Sequence, residues 1–229
     1  MTRTVVLAGS LGSTSAMWDP QAPALEKRFR VLRHDYPGHG GAALEDIADV
    51  RDLVPGVLAH APERFSFVGL SLGGAVGMRI ALDAPERLDR LVLCCTSARF
   101  GEPAMWEERA RVVRAGGMQA VVGAVLERWF TPAFPDVGRY RAMLLSIDAE
   151  GYARCCDALA RWDVRDELGR IAALTLVVSG ADDPSTPPQH GELLAAGIAD
   201  ARHVVLPRAR HLANVEGSEA VNALLLEHL

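Results

Sequence analysis

The stretch that most constrains the fold is Phe65-Ser66-Phe67-Val68-Gly69-Leu70-Ser71-Leu72-Gly73-Gly74. A short apolar, aromatic-rich run reads as a buried strand, and residues 75–82 then carry apolar side chains at helical spacing. Between the two lies G-x-S-x-G, with Gly69 and Gly73 two residues either side of Ser71. A strand that turns at once into a helix holds its serine on a sharp, strained corner, where flanking side chains would strike strand and helix. Glycine removes that obstacle. The hydroxyl then projects into an open site, with the N–H of Leu72 near the positive end of the following helix. Such a corner can also serve only to change chain direction, so the pentapeptide needs partners elsewhere before it implies catalysis.

Strands and helices alternate along the chain. Six runs read as strands: Thr4-Val5-Val6-Leu7-Ala8, Arg30-Val31-Leu32-Arg33-His34, the Phe65 run, Arg90-Leu91-Val92-Leu93-Cys94, Leu174-Thr175-Leu176-Val177-Val178-Ser179, and Ala201-Arg202-His203-Val204-Val205-Leu206. Helices are expected over 17–29, 47–58, 75–82 and 221–229. This alternation predicts an α/β fold: a mostly parallel sheet of about six strands, buried between helices. Residues 99–165 differ in texture. They are rich in Arg, Trp and Met, helical in pattern, and contain no convincing strand. They read as a helical lid inserted into a core formed by residues 1–98 and 166–229.

A chain of 229 residues suits a single domain, and its formal charge of −5 is spread without a basic block, which disfavours nucleic acid as a partner. No segment approaches the ~20 apolar residues of a membrane span, and the start of the chain lacks the pattern of a signal peptide. The four cysteines form two adjacent pairs, Cys94-Cys95 and Cys155-Cys156, a spacing that fits neither a disulfide framework nor a zinc site. Packing thiols and a reducing, cytoplasmic setting are expected.

In parallel sheets ligands collect at the carboxyl ends of the strands. Ser71, the Asp182-Asp183 pair and the Ser10 loop all follow strands directly, and His211 lies just beyond the sixth. A serine hydroxyl is a weak nucleophile unless a base takes its proton and a third group orients that base. Among seven histidines, His211 stands where the chain order Ser…Asp…His places the base. His34 and His203 belong to strands, His60 and His228 to exposed helix ends, and His190 to a polar helix, which suits structural or solvent roles. His39, in the Pro37-Gly38-His39-Gly40 turn, could border the site. Asp183 is favoured as the acid because the G-x-x-D step carries the chain clear of the strand; Asp182 is the alternative. Backbone N–H groups of Leu72 and Ser10 are expected to hold a developing oxyanion, with Leu11 the alternative to Ser10.

Further motifs lie outside this constellation: Gly9-Ser10-Leu11-Gly12, Met17-Trp18-Asp19-Pro20-Gln21, Glu127-Arg128-Trp129-Phe130-Thr131-Pro132, Glu150-Gly151-Tyr152 and Asp183-Pro184-Ser185-Thr186-Pro187-Pro188. His211-Leu212-Ala213-Asn214-Val215-Glu216 completes the set. With these the sequence resembles the α/β-hydrolase superfamily over nearly its full length, and within it the 3-oxoadipate enol-lactonases of aromatic catabolism. The resemblance implies Ser71 as nucleophile, Asp183 as acid and His211 as base. It also implies a small carboxylate-bearing enol-lactone as substrate, and no metal or organic cofactor. An anion beneath an apolar lid wants a donor or cation, for which Arg128, Trp129 and Trp106 are the candidate contacts. Family members usually begin with a two-stranded hairpin ahead of the strand that here starts at Thr4. Six core strands with an exposed edge are therefore expected, an edge that leaves self-association open. The rival readings are a broad carboxylesterase or C–C bond hydrolase using the same triad, and a non-catalytic ligand-binding protein of this fold.

Overall fold

The computed structural model describes residues 2–229. Its strands are β1 (Thr4–Ala8), β2 (Arg30–His34), β3 (Phe65–Leu70), β4 (Leu88–Cys94), β5 (Thr175–Gly180) and β6 (Ala201–Leu206). They form one parallel sheet in the order β2-β1-β3-β4-β5-β6. β1, β3 and β5 are buried at every residue, as β-branched and apolar runs covered on both faces must be. β2 and β6 lie at the edges, and there Arg30, Arg33 and Arg202 are exposed, charges that discourage further strand pairing.

Ahead of the elbow the helices are shorter than the apolar spacing predicts. Residues 17–29 form a 3-10 turn at Ser15–Trp18 and the brief α1 (Ala22–Leu25), not one helix. Pro20 and Pro23 are the cause, since each lacks an N–H and hinders the turn before it. Residues 47–58 likewise divide into a 3-10 turn, Val50–Leu53, and α2 (Val54–His60). Asp49 and Asp52 close a reciprocal cap on that turn. After the elbow, α3 (Leu72–Asp83) is buried from Leu72 to Leu82 and ends before Pro85.

Between β4 and β5 the chain runs through α4 (Pro103–Gly116), α5 (Val122–Trp129), α6 (Val137–Leu145) and α7 (Ala149–Ala160). An isolated bridge between Arg99 and Asp163, and a Val164 N–H donated to Ala98 O at 2.9 Å, tie the two ends of this insertion together. The helices thus leave and rejoin the sheet at one place, and α4 packs along α7. The chain continues with α8 (Pro188–Gly197), α9 (Ala213–Glu216) and α10 (Ser218–His228). All four cysteines are buried and free; burial pushes the Cys94 and Cys155 thiols up to about 12, which leaves them inert packing groups. Among the described residues no helix is long and apolar enough to cross a membrane.

The interior histidines make this fold sensitive to acid. His228 does not lie exposed at its helix end: it is buried, and its Nε2 hydrogen-bonds Leu91 O at 3.1 Å as α10 folds onto the sheet. Desolvation holds His39 and His228 below the usual histidine range and lowers His34 to about 4. The folded chain keeps these rings neutral, whereas the unfolded chain takes up protons around pH 6.5. The unfolded state therefore binds more protons below that pH. Stability is complete above about pH 6.5 and declines by up to ~1.4 kcal/mol per pH unit for each such ring, until the folded-state pKa is passed. Urea midpoints followed by circular dichroism should fall between about pH 7.5 and 5; equal midpoints would contradict this account.

Candidate active site

The corner between β3 and α3 is strained and firmly held. Ser71 has φ 57° and ψ −113°, a conformation that residues with side chains rarely adopt. Its N–H donates to Cys94 O at 2.9 Å, and its carbonyl accepts from Thr96 Oγ1 at 2.7 Å. The flanking glycines are steric requirements. A Cβ on Gly69 would lie 2.1 Å from Gly73 O, and one on Gly73 would lie 2.2 Å from Ala8 O. Two close backbone approaches thus explain the motif's spacing. Ser71 lines a cavity of about 340 Å³ between the carboxyl end of the sheet and the helical insertion.

Asp183 and His211 come together from the loops after β5 and β6. His211 Nδ1–H donates to Asp183 Oδ2 at 2.8 Å, and both side chains are buried. The second carboxylate oxygen accepts the N–H groups of Ser185 at 2.8 Å and Thr186 at 3.2 Å, while Thr186 Oγ1 donates to Oδ2 at 2.7 Å. Burial alone would push the Asp183 carboxyl up, but the His211 ring and these donors outweigh it and hold the group below the usual carboxylate range. An ionised Asp183 keeps the ring proton on Nδ1, so Nε2 carries the free lone pair. His211 lines the same cavity as Ser71. Among the described residues no hydrogen bond joins Ser71 Oγ to the ring, a looseness common before substrate arrives. Asp182 is exposed and takes no part in this network. Thr186 was not singled out from the sequence, although an Asp followed by Pro-Ser-Thr is the pattern of a turn in which the carboxylate bonds the N–H groups ahead of it.

The loop after β1 offers backbone donors, and they are not equivalent. The Ser10 N–H points at Met17 Sδ, 3.4 Å away. The Gly12 N–H donates to His39 Nε2 at 3.2 Å, while His39 Nδ1 donates to Pro37 O at 3.0 Å. His39 is thus a fully buried prop beneath the loop. The N–H groups of Leu11 and Leu72 have no partner among the described residues, and Leu11 lines the cavity, so the free donor of this loop is Leu11 and not the expected Ser10.

The insertion supplies the rest of the wall. Trp129 and Trp106 are buried, Arg128 is half-buried, and all three line the cavity, together with Arg109 and Tyr152. His190, expected to fill a structural or solvent role, also lines it. Ser97 Oγ gives its proton to Arg99 O at 2.6 Å, so His190 Nδ1 must be the donor in its 2.6 Å bond to Ser97 Oγ. The end of α5 is fastened to the loop that bears His211. Leu212 N–H donates to Trp129 O at 3.1 Å and His211 N–H to Arg128 O at 3.4 Å. The Glu216 carboxylate bridges the two segments, accepting Thr131 N–H at 2.8 Å, Thr131 Oγ1 at 2.6 Å and Arg210 N–H at 2.7 Å. The loop that bears His211 therefore rests partly on the insertion.

A parallel sheet, a strained serine elbow and a buried acid–histidine pair in the order Ser…Asp…His define a known class, and a family model described as the alpha/beta hydrolase family matches residues 5–224. The chain belongs to that family and is a hydrolase of the α/β fold. Among curated relatives, 3-oxoadipate enol-lactonase 2 of Acinetobacter baylyi is 35% identical over 228 residues, covering 95% of this chain and 85% of that one. The solved enol-lactonase from Burkholderia xenovorans LB400 matches with TM-score 0.94 at 37% identity, over 100% of this chain and 91% of that chain. A hydrolase from Pseudomonas aeruginosa PA01 has TM-score 0.94 and 43% identity, over 99% of this chain and 89% of its own.

Proposed function

We propose that this chain is a serine hydrolase that opens a small, carboxylate-bearing enol-lactone, of the 3-oxoadipate enol-lactone kind, through an acyl-enzyme on Ser71. The supporting observation is that one small cavity is lined jointly by the strained Ser71, by the His211 of a buried acid–base pair, and by arginines from the insertion. At about 340 Å³ the cavity suits a small ring rather than a long acyl chain.

In this mechanism His211 Nε2 takes the proton of Ser71 Oγ as that oxygen attacks the lactone carbonyl carbon. The carbonyl oxygen becomes anionic and lies against the N–H groups of Leu72 and Leu11. Collapse breaks the ring C–O bond. The enol oxygen leaves with the proton returned by His211, still tethered to the acyl group on Ser71, and the enol ketonises. Water then gives a proton to Nε2 and attacks the acyl carbon; the bond to Ser71 Oγ breaks as Nε2 returns that proton to it, which restores the serine and releases a 3-oxo dicarboxylic acid. Asp183 stays ionised throughout and fixes the ring that moves these protons.

The test is loss of the enol-lactone's ultraviolet absorbance on incubation with the purified protein, set against hydrolysis of a simple aryl ester. A kcat/KM for the lactone at least about 100-fold above the ester's is expected, the scale of discrimination that polar recognition supports. A wide margin in favour of the aryl ester would instead identify a broad carboxylesterase.

A further inference from the structure

The cavity's charge is unlike that of the chain around it. The protein has a formal charge of −5, yet Arg109 and Arg128 stand in the cavity wall and no Asp or Glu does among the described residues. Several other arginines of the insertion are matched by acids, Arg114 by Glu150 and Asp157, Arg154 by Glu150 and Asp46, and Arg111 by Glu108; Arg141 and Arg161 join no ion pair among the described residues, but they lie outside the cavity wall. Neither cavity arginine joins an ion pair among the described residues. A guanidinium in a partly dry wall without an anion is costly, and a carboxylate arriving from solution supplies the missing partner.

The two arginines differ in how they are held. The Arg109 guanidinium carbon lies 4.6 Å from the centre of the Trp106 ring. Trp106 is itself fixed, by donating Nε1–H to Phe100 O and by meeting the Phe100 ring edge-on at 6.3 Å. Tyr152, buried on α7, borders the same guanidinium. A planar cation laid on an indole has its orientation set in advance, so it loses little freedom when a carboxylate docks on its N–H edge. Arg128 has no aromatic face beneath it among the described residues, and its backbone carbonyl is tied to His211 N–H at the reacting end of the cavity.

We propose that Arg109, held on Trp106, binds the substrate's carboxylate and sets the preference for acid-bearing lactones over neutral esters. The inference rests on the lactone-hydrolase reading above and assigns to Arg109 the contact that the sequence suggested for Arg128. The ligand class is a small organic acid whose carboxylate lies a few bonds from the reacting carbonyl. Such a contact forms before reaction and persists through it, so its loss weakens binding more than turnover.

The experiment compares Arg109→Met, whose apolar stem still covers Trp106, with Arg109→Lys and Arg128→Met, each checked for its thermal midpoint. For Arg109→Met the ratio of kcat/KM on the enol-lactone to that on a neutral aryl ester should fall about 30-fold, chiefly through KM. Arg109→Lys should restore part of it, because a point charge lacks the flat fork. Adipate should inhibit aryl-ester hydrolysis by the unmodified protein, with an inhibition constant about 30-fold weaker in Arg109→Met. That second readout needs no lactone turnover. A protein that proved inactive on lactones would lose the proposed function, while adipate would still judge Arg109. Equal losses on lactone and neutral ester, an unchanged inhibition constant, or a selective loss that appears with Arg128→Met instead would overturn the assignment.

Discussion

Ser71→Ala is expected to lower kcat by at least about 10⁵-fold while leaving the protein folded. The alanine keeps the Cβ and removes only Oγ. The backbone bonds that hold the elbow, Ser71 N–H to Cys94 O and Thr96 Oγ1 to Ser71 O, do not involve the serine hydroxyl. The positive φ of 57° is no worse for alanine than for serine. Thermal midpoints of the two proteins should therefore agree closely, while turnover of any ester or lactone collapses. Activity within about tenfold of the unmodified protein would remove Ser71 from the mechanism.

Asp183→Asn should be nearly as damaging, for a different reason. The carboxylate accepts four bonds: from His211 Nδ1, Thr186 Oγ1, and the N–H groups of Ser185 and Thr186. An amide has one accepting oxygen and an NH₂ group that opposes any donor facing it. If the oxygen keeps the backbone donors, the NH₂ confronts Nδ1–H and drives the ring proton to Nε2, the wrong tautomer for a base facing Ser71. A fall in kcat/KM of about 10⁴-fold is expected on that account. A loss of about 1–3 kcal/mol in stability should accompany it, because a buried donor is left unsatisfied. Asp182→Asn is the matched control: its side chain is exposed, so steady-state kinetics should stay within about twofold of the unmodified protein. A large loss at Asp182 with little change at Asp183 would transfer the acid's role to Asp182.

The legible parts of this fold were those whose signal is local. β1, β2 and β6 match their β-branched runs residue for residue, and β3 with its elbow follows from a spacing of glycines that two backbone clashes dictate. The helix read across residues 17–29 fails because apolar periodicity takes no account of Pro20 and Pro23. His228 looked exposed because burial by the neighbouring sheet is a property of how α10 docks, not of its own composition. In the site, Ser71, Asp183 and His211 are recoverable from their order along three strand ends. The standing of Ser10 turns on which way one N–H points, and only the fold of the loop onto Met17 decides that. Arg109 was invisible for a similar reason. Its significance lies in the Trp106 ring under it and in the acids that other arginines have and it lacks, relations that cross helices.

In the proposed mechanism Ser71 is made nucleophilic by His211, itself oriented by Asp183. Incubation with an aryl phosphonate directed at activated serines, followed by intact-mass measurement and peptide mapping, tests this most directly. One adduct per chain, confined to Ser71 and formed far more slowly in Asp183→Asn, is the predicted result. An unlabelled protein, or an adduct on any other residue, would contradict it.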